Sequence, residues 1–330
     1  MTKSYKSTSS EYTKKSARFV TVDEGSVGQR IDNFLMRELK DVPRSYIYRI
    51  LRKGEVRVNK KRTKQVYKLK MDDVVRIPPV FLPDEKEKQT APATLLKSLE
   101  SSVILEDDDL IFINKPSGLA VHGGSGVRHG LIETFRQLRP NLTFVELVHR
   151  LDKETSGIVM LAKNRPTLLA LHEMMKQSSK EARIEKYYQT LIKGKWKGGT
   201  LHIKNTLQRK QGRRQKVKVV SSTEDKGKNS ESIFSPVQVS EKYSLLKVQL
   251  LTGRMHQIRA QLTELDHPIL GDSQYGDFAL NRELKKQLGL KRLFLHAYHL
   301  KFKLKTNGKL YDVKIPLSAD LLAVMKATVM

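Results

Sequence analysis

The sequence predicts an α+β protein in two parts: a large domain on a mixed, mainly antiparallel sheet, preceded by a small α+β domain. Three observations predict it. Beyond residue 180, short apolar alternations recur between connections rich in Gly, Ser and Asn, the pattern of strands. Before residue 80, two helical spacings are followed by alternating valines. Between them, Val80 to Ser102 carries Pro83, Pro92 and mixed charges from Asp84 to Lys88, the composition of a linker. With 330 residues, 38% of them hydrophobic, the chain is long enough for two cores.

Taken in order, Met1 to Arg18 has five Lys/Arg, one Glu and no apolar periodicity, so residues 1–18 are expected to be a disordered basic tail. Residues 19–79 form the small domain. Ile31, Phe34, Leu35 and Leu39 fall at helical spacing; Ile47, Ile50 and Leu51 define a second helix that Gly54 ends. Val56 and Val58 alternate with polar residues, and Val74, Val75 and Ile77 complete two or three strands. After the linker, 80–102, the large domain spans 103–330. Leu110 to Ile113 reads as a buried strand running into Asn114-Lys-Pro-Ser-Gly118 and the glycine-rich His122-Gly-Gly-Ser-Gly126, which is either a turn or a phosphate loop. A helix follows over Gly130 to Leu138, then a strand over Ile158 to Ala162 and a helix from Pro166. Further strands are expected over 187–192, 215–220, 237–242, 244–251, 294–303 and 311–315, with a helix over Met255 to Leu265.

The bulk charge is the loudest signal: 62 Lys+Arg against 35 Asp+Glu give +27. Such an excess attracts polyanions, nucleic acid first among them. A membrane is the competing polyanion, but no apolar run approaches the ~18 residues that span a bilayer. No signal peptide is visible, and the absence of cysteine fits a reducing compartment, so a cytoplasmic location is expected. The charge is concentrated. From Arg44 to Lys70 there are eleven Lys/Arg and one acid, Glu55, so Arg44, Arg49, Arg52, Lys53, Arg57, Lys60, Lys61 and Arg62 are candidate RNA-binding residues. Lys204 to Lys228, with nine Lys/Arg and two acids, is expected to be a loop forming a second RNA-facing surface.

The chemistry centres on His149-Arg150-Leu151-Asp152-Lys153-Glu154-Thr155-Ser156-Gly157, a polar loop pinned between apolar runs. A half-buried carboxylate at Asp152 needs a partner, and Leu251-Thr-Gly-Arg-Met-His-Gln-Ile-Arg259 supplies one: Gly253 permits a sharp turn into a helix and Arg254 stands at the bend. Paired with Arg254 and shielded from water, Asp152 would serve as a nucleophile or base. On the residues alone, a turn-closing Asp, bonded through its backbone to Thr155, is an equal reading. Metal sites begun by His149 with Asp152, by His256, or by His296 with His299 lack further carboxylates at ligand spacing, so no metal is expected.

Residues 43–62 resemble the S4-type RNA-binding module, and the Asp152 stretch, Gly253-Arg-x-His-Gln-Ile-Arg259, Lys186-Tyr-Tyr188, Asp272-Ser-Gln-Tyr-Gly276 and Leu293-Phe-Leu-His-Ala297 resemble the motifs of the RluA family of pseudouridine synthases. The likeness runs from about residue 19 to the C-terminus, and with the S4-type module it is nearest the members that act on large-subunit ribosomal RNA. It implies the pseudouridine synthase fold and isomerisation of specific uridines in 23S ribosomal RNA, with no cofactor. It also assigns roles: Asp152 the nucleophile, Arg254 its partner, Tyr188 stacked on the uracil and helping remove a proton, Arg150 filling the space of a flipped-out uridine, and Leu295 beneath the base. Tyr188, not Tyr187, takes that role because it stands two after Lys186 and faces the opposite side of a strand from Tyr187. Two rivals remain: a non-catalytic RNA-binding or ribosome-assembly factor, and a carboxylate-based glycoside hydrolase, which needs a second carboxylate at about 5 to 9 Å.

Overall fold

A computed structural model of the chain describes residues 12–39, 42–83, 90–123, 129–177, 183–209, 216–220 and 227–329. The chain divides into two compact units, with the boundary between Thr90 and Ala91.

In the first unit, strand β1 (Tyr12–Lys15) pairs antiparallel with β6 (Val80–Pro83). Both overturn an expectation. The tail is strand from Tyr12, and β2 (Arg18–Thr21) follows within a few residues; the first part of the linker is strand as well. Residues 1–11 and 84–89 lie outside the described residues. Helices α1 (Ile31–Glu38) and α2 (Arg44–Arg52) bury the apolar stripes their spacing dictates, including Phe34, Leu35, Ile47 and Ile50. They share a core with a four-stranded antiparallel sheet of order β2-β5-β3-β4, where β3 is Arg57–Val58, β4 is Lys61–Arg62 and β5 is Val74–Ile77. Asn59 and Lys60, with φ of 49° and 67°, make the two-residue turn between β3 and β4. The Asn59 side chain secures it, accepting from Val74 N at 2.8 Å and donating to Asp73 at 2.8 Å. Gly54, at φ 70°, ends α2 where a Cβ would meet Arg62 at 2.5 Å.

The second unit is built on a sheet of eleven strands, ordered β13-β12-β14-β15-β11-β16-β10-β8-β7, with β17 on β16 and β9 on β10. It opens with a helix, α3 (Ala93–Glu100), in the second part of the expected linker; Leu99 is buried against the helix α4 (Leu131–Leu138). β7 (Val103–Glu106) and β8 (Leu110–Lys115) form the near edge, β9 is Glu146–Leu147, and β10 (Ser156–Ala162) is buried along its whole length. That burial has a simple cause. α3 and α4 cover one face of β8 and β10, while α5 (Arg165–Lys176) covers the other with Leu168, Leu171 and Met174, so an unbroken apolar run is required.

The next strands are β11 (Glu185–Lys193), β12 (Leu201–Arg209), β13 (Val217–Val220), β14 (Lys228–Val239) and β15 (Tyr243–Leu250). The supposed loop from Lys204 to Lys228 is thereby corrected: most of its described part is strand. β12 continues the sheet from β14, and β13 pairs with β12; residues 210–215 and 221–226 lie outside the described residues. The strand expected at 237–242 in fact begins at Lys228 and stops at Val239. Helices α6 (Gln257–Glu264) and α7 (Phe278–Gln287), strands β16 (Leu295–Lys303) and β17 (Leu310–Lys314), and helix α8 (Ala319–Val329) complete the unit.

Among the named strands one pair, β10 with β16, runs parallel, through Ser156↔His296 and Gly157↔Ala297. Gly157 has φ 114°, and a Cβ there would lie 2.2 Å from Ala297 O, so this crossing requires glycine. Among the described residues no helix is long and apolar enough to cross a membrane.

At that β7–β8 edge Asp107 ties the β7–β8 turn to the β16–β17 hairpin, accepting from Leu110 N at 2.8 Å, Tyr311 Oη at 2.8 Å and Lys309 Nζ at 2.5 Å. Burial pushes the carboxyl up, but these donors outweigh it and lower its pKa to about 2. A group whose folded pKa is lowered contributes stability above its unfolded pKa of about 3.9 and loses it as pH falls through the folded value. Wild-type protein should therefore lose urea resistance more steeply than Asp107→Asn between about pH 4 and pH 2. Parallel slopes in urea titrations across that window would remove this tie from the account.

Candidate active site

The loop before β10 carries Asp152, and its path is fixed from beneath. Lys115, fully buried, donates to the carbonyls of Pro116, Leu119 and Lys153 at 2.9, 2.9 and 3.0 Å. Burial lowers its pKa to about 7, against the pull of Glu154 and Asp152. Ser117 Oγ donates to Glu154 O at 2.6 Å, and Gly118 N to Lys153 O at 2.9 Å. The stretch Asn114–Gly118 is thus a strap across the Asp152 loop. His149 Nε2 accepts from Met160 N at 3.2 Å, and burial holds its pKa near 3, so it is a neutral acceptor that braces the loop from the other side. The turn-closing role weighed for Asp152 is also real: its carbonyl accepts from Thr155 N at 3.1 Å, leaving the carboxylate free.

That carboxylate points into a cleft of about 620 Å³ lined by Arg150, Tyr188, Arg254, His256, Arg259 and Leu295 among others. Its side chain is 21% exposed. Its cationic partner is Arg259, not Arg254. Arg259 Nη1 stands 3.4 Å from Asp152 Oδ2, and His256 Nε2 stands 3.8 Å from the same oxygen. Arg254 is exposed, with its Nε donating to Asn229 O at 2.9 Å. The reason is the bend. His256 takes a left-handed conformation at φ 52°, and Gln257 accepts from Arg254 N and Thr252 Oγ1, which leaves Arg254 outside the helix. Arg259 follows within α6 on its buried side.

Arg259 is held before any substrate arrives. Its guanidinium, 3% exposed, grips Asp272 through two bonds, Nε to Oδ2 at 2.7 Å and Nη2 to Oδ1 at 2.8 Å. Asp272 also accepts from the backbone N–H groups of Gln274 and Tyr275, so it is fully satisfied. Burial pushes the Asp272 carboxyl up, but Arg259 outweighs it and holds the pKa below the usual range. Tyr275 lies under the guanidinium at 4.9 Å, shares a 3.0 Å hydrogen bond with His256 Nδ1, and accepts from Val217 N on β13. Burial depresses His256 while Asp152 draws it upward; the net shift is down.

The remaining sequence candidates fall into two groups. Tyr188 is buried on β11 with its side chain in the cleft, and burial followed by the Asp152 charge raises its pKa. Tyr187 faces away, donating to Glu185 and stacking on His299 at 5.0 Å. Leu295, 3% exposed, forms part of the cleft at the start of β16, and Arg150 is exposed at its rim. In the first unit Arg44, Arg49, Arg52, Lys53, Arg57, Lys60, Lys61 and Arg62 are all exposed. Sequence reasoning missed the pairing role of Arg259, the His256 contact and the cleft wall built by Leu207, Arg209, Val217 and Lys228. A buried acid in the Asp272 motif was the signal that could have singled out Arg259, because such an acid demands an equally buried base.

Residues 109–264 match the family model described as RNA pseudouridylate synthase, and residues 29–75 match that of the S4 domain. Ribosomal large subunit pseudouridine synthase C of Vibrio parahaemolyticus is 44% identical over 311 residues, 93% of this chain and 95% of that one. The protein of the same name in Escherichia coli is 43% identical over 316 residues, again 93% and 95%. Among solved structures, human RNA pseudouridylate synthase domain containing 4 shares the fold with a TM-score of 0.58 at 23% identity, over 71% of this chain and 95% of its own.

The two arginines of the bend should differ sharply in what their removal costs. Arg259→Ala leaves Asp272 buried without its counter-ion and should cost about 3–5 kcal/mol of folding stability. Arg254→Ala, at an exposed position, should stay within about 0.5 kcal/mol. Urea unfolding of both variants checks this, and equal losses would contradict the assigned pairing.

Proposed function

The chain belongs to the family of RNA pseudouridine synthases, and from that premise we propose that it converts specific uridines of large-subunit (23S) ribosomal RNA to pseudouridine in the cytoplasm. Asp152 is the nucleophile. The observation that carries this reading is its carboxylate in a cleft beside Arg259 and His256, with the Tyr188 ring and Leu295 as apolar surfaces for a pyrimidine.

A uridine stacked in an RNA helix cannot reach such a cleft. Flipping it out costs a few kcal/mol, and Arg150, which lines the cleft, fills the vacated space. Asp152 then forms a bond to the sugar carbon or to uracil C6, and the N-glycosidic bond breaks. The base turns within the cleft, C5 joins the ribose, C5 loses its proton and N1 gains one. Every atom of the substrate is retained, so the balance requires no oxidant, reductant or co-substrate. Arg259 stabilises the carboxylate before attack and when it is released. Tyr188 enters with its phenol protonated, since its pKa is raised, so it begins as a stacking surface and can accept the C5 proton only while passing its own onward.

The first unit binds flanking RNA. The outer face of α2 and the β3–β4 turn presents eight exposed cations, and Arg49 lies on the Tyr46 ring at 4.4 Å, which stiffens part of that surface. A glycoside hydrolase is disfavoured, because Asp152 is the only carboxylate lining the cleft among the described residues.

Asp152→Asn should abolish pseudouridine formation while leaving RNA affinity within about twofold, since Asn keeps the shape and loses the nucleophile. Pseudouridine mapping of ribosomal RNA from cells with and without the wild-type chain supplies the target sites; turnover by the variant refutes the role, and a substitution silent in every assay favours a ribosome-assembly factor. Charge reversal at Arg49, Arg52, Lys53 and Lys60 should weaken RNA binding and flatten its salt dependence by up to about one slope unit per lost contact. A filter-binding salt series with an unchanged slope would take the α2 face out of the interface.

A further inference from the structure

Beside the Asp152 cleft lies a second one of about 830 Å³, and the two share Arg150, Tyr188, Leu250, Gly253 and Arg254. Nothing in the isomerisation uses the rest of its lining. Lys186 stands two residues before Tyr188 on β11 and therefore shares its face of the strand. It is 9% exposed, its Nζ reaches Met175 Sδ at 4.0 Å, and among the described residues no carboxylate pairs with it. Arg183, also in this lining, has a buried Nε with no hydrogen-bond partner. The one acid lining the cleft among the described residues, Glu231, already faces His202 at 2.7 Å and Lys204 at 3.3 Å.

A buried ammonium without a counter-ion is costly, and so is a buried donor without an acceptor. Burial and then the charges of Arg183 and Arg254 lower the Lys186 pKa to about 8. Among the described residues, an ammonium with no carboxylate and a guanidinium Nε with no acceptor, in a cation-lined cleft that opens onto the nucleotide site, make an anion site. The anion that must arrive with a nucleotide is its own backbone phosphate, whose two free oxygens suit one ammonium and one guanidinium.

We propose that the second cleft is a phosphodiester subsite, in which Lys186 and Arg183 hold a backbone phosphate next to the uridine that enters the Asp152 cleft. The proposal rests on the pseudouridine synthase reading of that cleft.

The test uses the full chain and a short RNA copied from a ribosomal RNA segment that wild-type protein modifies. Each phosphodiester flanking the target uridine is replaced singly by an uncharged methylphosphonate. At one linkage, neutralisation should lower wild-type kcat/KM roughly tenfold or more, and Lys186→Met should cause a similar loss on unmodified RNA. Combined, the two changes should cost no more than about twofold beyond either alone, because each removes the same contact. The salt dependence of KM for Lys186→Met should be shallower by about one unit. Arg183→Gln supplies the same measurement if the melting temperature of Lys186→Met falls. Losses that multiply at every linkage, or a wild-type kcat/KM in both variants, overturn the subsite while leaving the Asp152 reading intact. If wild-type protein forms no pseudouridine in any ribosomal RNA segment, both fall together.

Discussion

One guanidinium organises the second unit. Arg259 is almost wholly buried, and so is the carboxylate of Asp272 that it grips in a two-pronged bond. An ion pair in such a place contributes little net stability by itself, because each partner has given up its water. What it supplies is position. With Nε and Nη2 committed to Asp272, the guanidinium cannot swing, and Nη1 is left facing Asp152. The favourable field at the Asp152 carboxylate is therefore built into the fold and requires no rearrangement when charge moves.

The sheet converts residues far apart in sequence into one small cleft. Asp152 precedes β10, Tyr188 lies midway along β11, Leu295 begins β16, and α6 brings Arg259 across from beyond β15. The parallel contact of β10 with β16 makes this possible, because it brings the start of one strand beside the start of the other. Gly157 at that contact explains the glycine closing the Asp152 motif: with any side chain there, β16 and its Leu295 would be pushed aside. Leu207 and Val217 on the β12–β13 hairpin pack with Ala260 of α6, so the same helix that carries Arg259 supports the opposite wall of the cleft.

Much of this was legible in residue order, and the failures have physical causes. Parity on a strand was enough to place Tyr188 inward and Tyr187 outward, since alternation is local. The cationic face of α2 followed from helical spacing alone. The choice of Arg254 over Arg259 failed because both lie in one motif five residues apart, and what separates them is a distant partner, Asp272, together with the left-handed turn at His256. β12 reads as a loop in residue order because its burial rises above intermediate only at Thr206 and Leu207, so its alternation is hidden under charge. β1 had no apolar signal to read; its pairing is with β6, nearly seventy residues on. The second cleft leaves no mark in residue order, because among the described residues Lys186 is distinguished by having no carboxylate partner, and that is a matter of tertiary packing.

Lys115, too, is fixed in position by its own hydrogen bonds. An ammonium carries three N–H bonds, and here all three end on main-chain oxygens of the two loops it joins. It counts as one of 62 basic residues, yet it offers no proton to an incoming strand, so the formal charge of this chain overstates what a polyanion can grasp. An arginine, with its flat spread of donors, could not converge on three oxygens from a single point, and a shorter amine would not reach them. At this position lysine is masonry, and its replacement would be felt as a loosened loop long before it was felt as a lost charge.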